Sequence, residues 1–283
     1  MTMIIQFSLY IIEGSIILLV NGLLVCSLLR KASLRSKYAI IVPRFITDTI
    51  VGLAALVAGT TTLRSRIFCM FMPWNLLFVW SDPMSAVVQL AISLDRLISL
   101  IAPIFYYKRP VAIQMTQTSL WHVSWATVAI AGWTITLVTG TGKTTLDPIC
   151  WFGKSVIHEL TDTILYTRII GSISAVVLYV IVFIVSRRHM KRMSGLLSSD
   201  ERALKKGRQL TQSMLISCIA TFSLYVVPIV VEVIWGDSEN QLIADAVAIY
   251  SQLSTGLNPL VHATIVISRH ADIAESMLQV AIL

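Results

Sequence analysis

A charged pair, Asp95-Arg96, stands near the end of a long apolar stretch of the sequence. Charges at the depth of a membrane are costly, and they are retained mainly where they pair or serve a function. Pro103 follows seven residues after the arginine, and Tyr106 comes three residues later. Such a pair could hold a conformational contact in a membrane protein. The other interpretation is an interfacial pair whose arginine extends to the lipid headgroups.

Two other apolar stretches each contain a proline close to side chains that could act with it. Phe222 lies six residues before Pro228, and Asn258-Pro259 is followed three residues later by His262. Proline removes a backbone hydrogen bond and kinks a helix. One half of the helix that contains Pro228 could therefore swing outward. An ordinary kinked helix would explain the same pattern. His262 either makes a polar contact within the protein or lies in water near the helix end.

Membrane-spanning helices must position these residues. Of the 283 residues, 56% are hydrophobic and 13% are charged, against roughly 25% charged in a typical soluble protein. A helix needs about 20 apolar residues to cross the hydrocarbon core, and a long apolar run in lipid must be helical. The sequence therefore predicts an all-α bundle of seven transmembrane helices, with residues 1–283 as one domain. The seven runs are 4–29, 38–62, 68–102, 121–140, 162–186, 210–235 and 242–268.

The basic residues indicate how the bundle is oriented. A net charge of +7 could suggest nucleic-acid binding, but Lys and Arg concentrate after the first, third and fifth runs, above all in segment 187–208. Cytoplasmic loops carry such an excess. We therefore predict a multi-pass protein of the cell membrane with a short extracellular N-terminus and a short cytoplasmic tail.

Taken together, the motifs resemble those of rhodopsin-like, or class A, G-protein-coupled receptors. The charged pair resembles the D-R-Y signature with leucine in the third position. The Phe222 motif resembles F-x-x-C-W-x-P with Val226 in place of tryptophan, and the Asn258 motif resembles N-P-x-x-Y with His262 in place of tyrosine. Within that family, the short ends and degenerate motifs look like those of nematode serpentine chemoreceptors.

The resemblance implies a receptor that binds an extracellular small molecule or short peptide. Binding would activate a heterotrimeric G protein through outward movement of the sixth helix around Arg96. No enzymatic activity is implied, and a retinal cofactor is disfavoured because the seventh run has no lysine. The residues that the resemblance assigns to activation and G-protein coupling are Asp95, Arg96, Pro103, Tyr106, Arg208, Phe222, Pro228, Asn258, Pro259 and His262.

The competing hypothesis is a secondary transporter or another ion-translocating seven-helix protein. Acidic residues in the outer halves of the runs, such as Glu13 and Asp82, could then relay ions. The lack of a sequence repeat counts against an inverted-repeat transporter.

A polar core is also implied by the resemblance. Asn21 and Asp48 match buried positions of the family, and Ser85 and Ser254 would join Asp48 in a sodium-binding pocket, with oxygen ligands that suit a hard cation. Arg44 lies four residues before Asp48 on the same helix face. It could pair with the carboxylate and take the place of the ion, so the sequence leaves both arrangements open.

The outer side of the bundle should carry a disulfide and a ligand pocket. Cys69 and Cys150 both face the oxidising side, so a disulfide between them is expected, with two free thiols as the alternative. Acids in the pocket favour a cationic or hydrogen-bond-donating ligand, unless they pair with Arg168. The residues expected to line the pocket are Phe78, Asp82, Tyr225, Glu232, Asp245 and Gln252.

Arg208 gives a further expectation about signalling. Rhodopsin-like receptors often hold the motif arginine with an acid at the inner end of the sixth helix, but this sequence has Arg208 at that place. Two arginines repel each other, so Arg208 should weaken the inactive packing around Arg96. We therefore expect appreciable signalling without ligand.

Overall fold

The protein folds as a bundle of long helices, and the predicted all-α fold is confirmed. The computed structural model describes residues 2–58, 69–108, 110–139, 156–196, 215–236 and 240–282. The helices, numbered along the chain, are α1 (Thr2–Arg30), α2 (Ala32–Lys37), α3 (Val42–Ala58), α4 (Pro73–Ile101), α5 (Pro103–Lys108), α6 (Pro110–Thr139), α7 (His158–Leu196), α8 (Leu215–Trp235), α9 (Gln241–Arg269) and α10 (Ala271–Ala281).

The seven predicted runs correspond to α1, α3, α4, α6, α7, α8 and α9. Among the described residues, five helices are long and apolar enough to cross a membrane, and all five lie within predicted runs or overlap them. Two short helices, α2 and α5, lie in loops that the charge pattern places in the cytoplasm. We call this end of the bundle, where α1, α4 and α9 end, the inner end.

The helix of the fourth predicted span, α6, begins much earlier in the chain than the sequence predicts. The predicted start was residue 121, whereas α6 begins at Pro110. Polar side chains in its first turns find partners on neighbouring elements: Gln117 Nε2 donates to the carbonyl of Ala91 at 3.0 Å, and Gln114 Nε2 donates to the Tyr106 hydroxyl at 2.5 Å. These two hydrogen bonds attach the first turns of α6 to neighbouring elements, so the helix extends beyond its apolar run.

Two glycines allow α1 and α3 to cross with their backbones in close contact. A Cβ on Gly14 would lie 2.6 Å from the nitrogen of Leu56, and one on Gly52 would lie 2.6 Å from the nitrogen of Leu18. Small residues permit this close approach between membrane helices. The crossing fixes α3 against α1 and thereby positions the polar residues of α3 toward the centre of the bundle.

The last helix, α10, was missed by the sequence analysis, which predicted only a short tail. Its Ile273 is fully buried among α1, α3 and α9, and Ser276 Oγ donates to the carbonyl of Ser27 at 3.2 Å. The apolar spacing of Ile273 and Met277, four residues apart, was the signal available in the sequence.

Side chains at the inner end tie α10 to the loop between α1 and α3. The Tyr38 hydroxyl lies 3.0 Å from Nδ1 of His270 and donates to Asp272, while Lys37 Nζ lies 2.7 Å from the Asp272 carboxylate. The hydrogen bond to Asp272 raises the pKa of Lys37. Partial burial alone would raise the pKa of Asp272, but the bonds from Lys37 and Tyr38 hold it below its ordinary value.

Cys69 is buried and disulfide-bonded, while Cys26 and Cys218 are free thiols. Its expected partner, Cys150, lies outside the described residues. Cys69 therefore places one end of the disulfide just before α4, the helix that carries several of the candidate functional residues.

Candidate functional site

At the inner end of α4, Asp95 is fully buried and bonded to the short helix α5. The Tyr106 hydroxyl donates to Asp95 Oδ1 at 2.8 Å. Burial, together with this bond, raises the pKa of Tyr106 to about 12, so the hydroxyl stays protonated and remains a donor at any physiological pH. Pro103, the first residue of α5, starts the helix that places Tyr106 under α4.

Arg96, next to Asp95, is only partly buried. The part of the chain that the structure describes contains no ion pair of the Arg96 side chain. Arg208, predicted to lie near it, is outside the described residues. At this inner end of the bundle, no carboxylate of the described residues pairs with the Arg96 guanidinium.

The helix of the sixth predicted span, α8, is not a regular α-helix throughout. Phe222–Val226 form a π-helical segment, directly before the turn that contains Pro228. A π-helical turn holds one extra residue and is often found at functional sites. The sequence analysis predicted a proline kink and missed this wider turn. Phe222 is half-exposed on the outside of the bundle, whereas Val226 and Pro228 are buried.

A buried ion pair lies in the middle of the bundle. Arg44 Nε is 3.0 Å from Asp48 Oδ2, and Arg44 Nη1 donates to the carbonyl of Ser85 at 2.8 Å and to Gln89 Oε1 at 2.9 Å. All four residues are buried. Of the two arrangements that the sequence left open, the structure has the ion pair.

Hydrogen bonds continue from this ion pair across the bundle. Gln89 Nε2 on α4 donates to Thr221 Oγ1 on α8, and the same hydroxyl oxygen lies 3.1 Å from His262 Nε2 on α9. We call Arg44, Asp48, Gln89, Thr221 and His262 the central network. His262 is thus placed inside the protein, while Gln89 and Thr221 were not among the predicted site residues. Gln89 could have been identified from the sequence, because it is a polar residue four positions after Ser85 in an apolar run. The sequence gives no comparable indication for Thr221.

The other predicted core residues are buried but stand apart from the central network. Asn21 Nδ2 donates to the carbonyl of Ile17 in its own helix at 3.1 Å. Ser254 and Asn258 are buried on α9. Asn258 directly precedes Pro259, and its side-chain amide has no hydrogen-bond partner among the described residues.

The residues around Asp48 do not fit a sodium ion. One carboxylate oxygen of Asp48 and the backbone carbonyl of Ser85 both bind the Arg44 guanidinium. A second cation at the same place would be repelled by this buried positive charge, for which the protein interior provides little screening.

A second polar cluster lies in the outer half of the bundle. Arg168 Nη1 on α7 is 3.3 Å from Asp82 Oδ2 on α4, and its guanidinium carbon lies 5.8 Å from the centre of the Tyr225 ring. On the neighbouring helices, Ser251 Oγ donates to Glu232 Oε2 at 2.7 Å. The sequence suggests Arg168 only as an alternative partner for the acids, and it gives no reason to expect Ser251 in this cluster.

The remaining predicted pocket residues are placed less completely. Phe78 is half-buried on α4, one turn before Asp82. Asp245 and Gln252 lie on α9, but their side chains are outside the described residues. The outer cluster therefore consists of Asp82, Arg168, Tyr225, Glu232 and Ser251, contributed by four helices.

Comparison with known families adds to this geometry. Residues 1–130 match the family model described as serpentine type 7TM GPCR chemoreceptor Srbc. The match covers less than half of the 283 residues, so it shows a similarity of the first part of the chain to the serpentine chemoreceptors. The matched part contains the Arg44–Asp48 pair, the Asp95-Arg96 pair and Tyr106. No curated protein matches the chain.

The match supports the predicted class of protein. The family it describes consists of G-protein-coupled chemoreceptors, which are membrane receptors and not enzymes, and the long apolar helices of this chain agree with a multi-pass membrane protein. The secondary transporter considered from the sequence has no such support.

Proposed function

We propose that this protein is a receptor that binds a small cationic, hydrogen-bond-donating molecule at the outer cluster and activates a heterotrimeric G protein at the inner end. The whole chain would act as one receptor domain, with its N-terminus outside the cell and its C-terminus in the cytoplasm. The observation that carries the proposal is that α4 and α8 hold polar residues of both the outer cluster and the central network.

The charges of the outer cluster favour a cationic ligand. Asp82 and Glu232 contribute two carboxylates, whereas Arg168 contributes one guanidinium, which is already paired with Asp82. One negative charge is left over, and charge at this depth is costly unless it is compensated. Glu232 is partly exposed and uses one oxygen to accept from Ser251, so an ammonium group of a ligand would find its partner there.

The shape of α8 favours movement of its inner half. Pro228 has no N–H to donate, and the π-helical turn at Phe222–Val226 adds a second irregularity directly before it. Helices bend most easily at such places. Tyr225 lies within the π-helical turn, and Glu232 lies less than two turns after it, so a ligand that contacts either residue touches α8 at or near its irregular part.

Arg96 is the proposed centre of coupling at the inner end. Its neighbour Asp95 is bound by Tyr106, and no described acid holds Arg96 itself. Outward movement of α8 would leave the arginine accessible to a G protein. A ligand acts here by favouring one of two helix packings over the other.

Nucleotide exchange in reconstituted vesicles tests the proposal. Receptor and purified G proteins are combined, a panel of small amines is screened, and ion flux is followed in the same vesicles. Glu232→Gln should weaken the potency of an active amine about 10- to 100-fold, since hydrogen bonds to charged groups contribute about 1.5–3 kcal/mol. The control is Glu159→Gln, which alters an exposed acid at the start of α7.

Ligand-dependent ion flux without nucleotide exchange would show that the chain translocates ions. Equal effects of Glu232→Gln and Glu159→Gln would contradict the assigned ligand site while leaving G-protein coupling intact.

A further inference from the structure

Three helices meet at one hydroxyl group in the central network. Thr221 on α8 is fully buried, and it faces Gln89 of α4 on one side and His262 of α9 on the other. It is also the last residue before the π-helical turn at Phe222–Val226. The contact is therefore made by the inner half of α8, at the point where that half joins the irregular turn.

The hydrogen bonds at Thr221 are consistent with one another. A hydroxyl has one proton to donate and two lone pairs to accept with. Thr221 Oγ1 donates to the carbonyl of Ser217 at 2.9 Å and accepts from Gln89 Nε2. The second lone pair can then accept from the N–H at Nε2 of His262. All the capacity of the hydroxyl is used, and each bond between helices ends on the same oxygen.

The ion pair fixes the orientation of this contact. Arg44 Nη1 donates to Gln89 Oε1, so the amide of Gln89 can present only its NH₂ group to Thr221. Buried chains of hydrogen bonds strengthen one another in surroundings of low dielectric constant. The positive charge on α3 thus orients the group that binds α8.

We propose that Thr221 is a positioning residue that holds the inner half of α8 against α4 and α9 in the resting receptor. The inference rests on the proposed function, in which that half of α8 moves outward. Movement must separate the Thr221 hydroxyl from Gln89 and His262, because those two residues stand on helices other than α8. The resting state is then restrained at mid-bundle, by bonds between α8 and two other helices.

Three threonine variants separate this role from ordinary packing. Thr221→Val keeps the shape of the side chain and removes the hydroxyl, whereas Thr221→Ser keeps the hydroxyl. Thr47→Val is the matched control, because Thr47 on α3 is equally buried and its hydroxyl donates only to the carbonyl of Pro43 in its own helix.

The position of α8 can be measured without any G protein or ligand. Spin labels are placed at Met115 on α6 and Leu215 on α8, both exposed near the inner end, in a background with Cys26→Ser and Cys218→Ala. Pulsed electron resonance then gives the distance distribution in lipid nanodiscs.

Thr221→Val should raise the ratio of the long-distance to the short-distance population about 5- to 150-fold, which corresponds to losing two net hydrogen bonds. Thr221→Ser and Thr47→Val should leave the ratio within about twofold of the unmodified receptor. Equal distributions for Thr221→Val and the unmodified receptor would overturn the inference, as would an equal change in Thr47→Val. Should Thr221→Val fail to fold, His262→Phe removes one of the two bonds, and the same distance measurement decides.

Nucleotide exchange on G proteins, measured on the same variants, distinguishes the two proposals. If Thr221→Val shifts the distance but no G protein responds, coupling fails and the restraint stands. If amine-dependent exchange occurs but Thr221→Val changes neither distance nor basal exchange, the restraint is wrong and coupling stands.

Discussion

Replacing Arg44 with leucine should make the stability of the receptor depend on sodium. In the unmodified protein the guanidinium binds Asp48, the carbonyl of Ser85 and Gln89, and it supplies the positive charge that the buried carboxylate requires. Arg44→Leu removes that charge and leaves the oxygens in place. Asp48 must then take up a proton or a cation, because an isolated buried charge is costly.

The size of the effect follows from the burial of the pair. Removing one partner of a buried ion pair costs about 3–5 kcal/mol, which lowers the Tm of a chain of this size by roughly 6–20 °C. A cation that binds only the folded state, at ten times its Kd, restores about 1.4 kcal/mol. Sodium should therefore recover roughly 3–6 °C of the loss.

The assay is thermal unfolding of purified receptor in nanodiscs, with sodium chloride compared against the chloride of a large organic cation at the same ionic strength. The unmodified receptor should unfold at the same temperature in both salts. The double variant Arg44→Leu/Asp48→Asn removes both charges, so it should recover stability without responding to sodium.

Two results would refute this reasoning. Strong stabilisation of the unmodified receptor by sodium would mean that an ion binds beside Arg44 and that the pair does not replace it. A sodium-insensitive Arg44→Leu protein would mean that the oxygens near Asp48 cannot coordinate an ion.

Three other predictions concern the two ends of the bundle. Cys69→Ser should lower the free energy of unfolding by about 2–5 kcal/mol and reduce delivery to the cell surface. Normal surface delivery of this variant would argue against a stabilising disulfide. A free thiol at Cys69 in functional protein, detected by mass spectrometry, would argue against it as well. Arg208→Glu should lower ligand-free nucleotide exchange at equal surface expression. The resemblance to rhodopsin-like receptors expects an acid at this position to pair with Arg96, and such a pair would favour the resting state by about 0.5–1 kcal/mol. Unchanged basal exchange would contradict the expected repulsion between the two arginines. Although burial opposes it, the bond from Lys37 keeps the pKa of Asp272 low, so the docking of α10 should be complete above about pH 4 and weaken as the pH falls through the lowered pKa. Amide hydrogen exchange of α10 should show this acid-side loss in the unmodified receptor and not in Asp272→Asn.

The sequence was most informative where a contact lies within one helix. The spacing of Arg44 and Asp48, four residues apart, placed the pair on one helix face, and the structure has that contact. The apolar runs likewise predicted the all-α fold, because the membrane imposes their length and composition. Their ends were less certain, since polar residues such as Gln114 and Gln117 extend α6 by binding its neighbours.

Contacts between distant helices could not be read from one sequence. Gln89 and Thr221 are separated by 132 positions, and nothing in either local pattern specifies how α4 and α8 are rotated toward each other. The pairing of Arg168 with Asp82 was considered only as an alternative for the same reason. The π-helical turn was missed because its extra residue depends on how α8 packs, not on the proline alone.

The close crossing at Gly14 and Gly52 bears on how the chain is assembled during synthesis. The two helices that meet there are consecutive spans of the chain, and backbone atoms of these two spans make much of their contact. Small residues of this kind let a pair of membrane helices associate without a third partner. This helical hairpin can thus form as a unit while the helices that follow it are still being translated, and those helices would be added to a pair that is already packed.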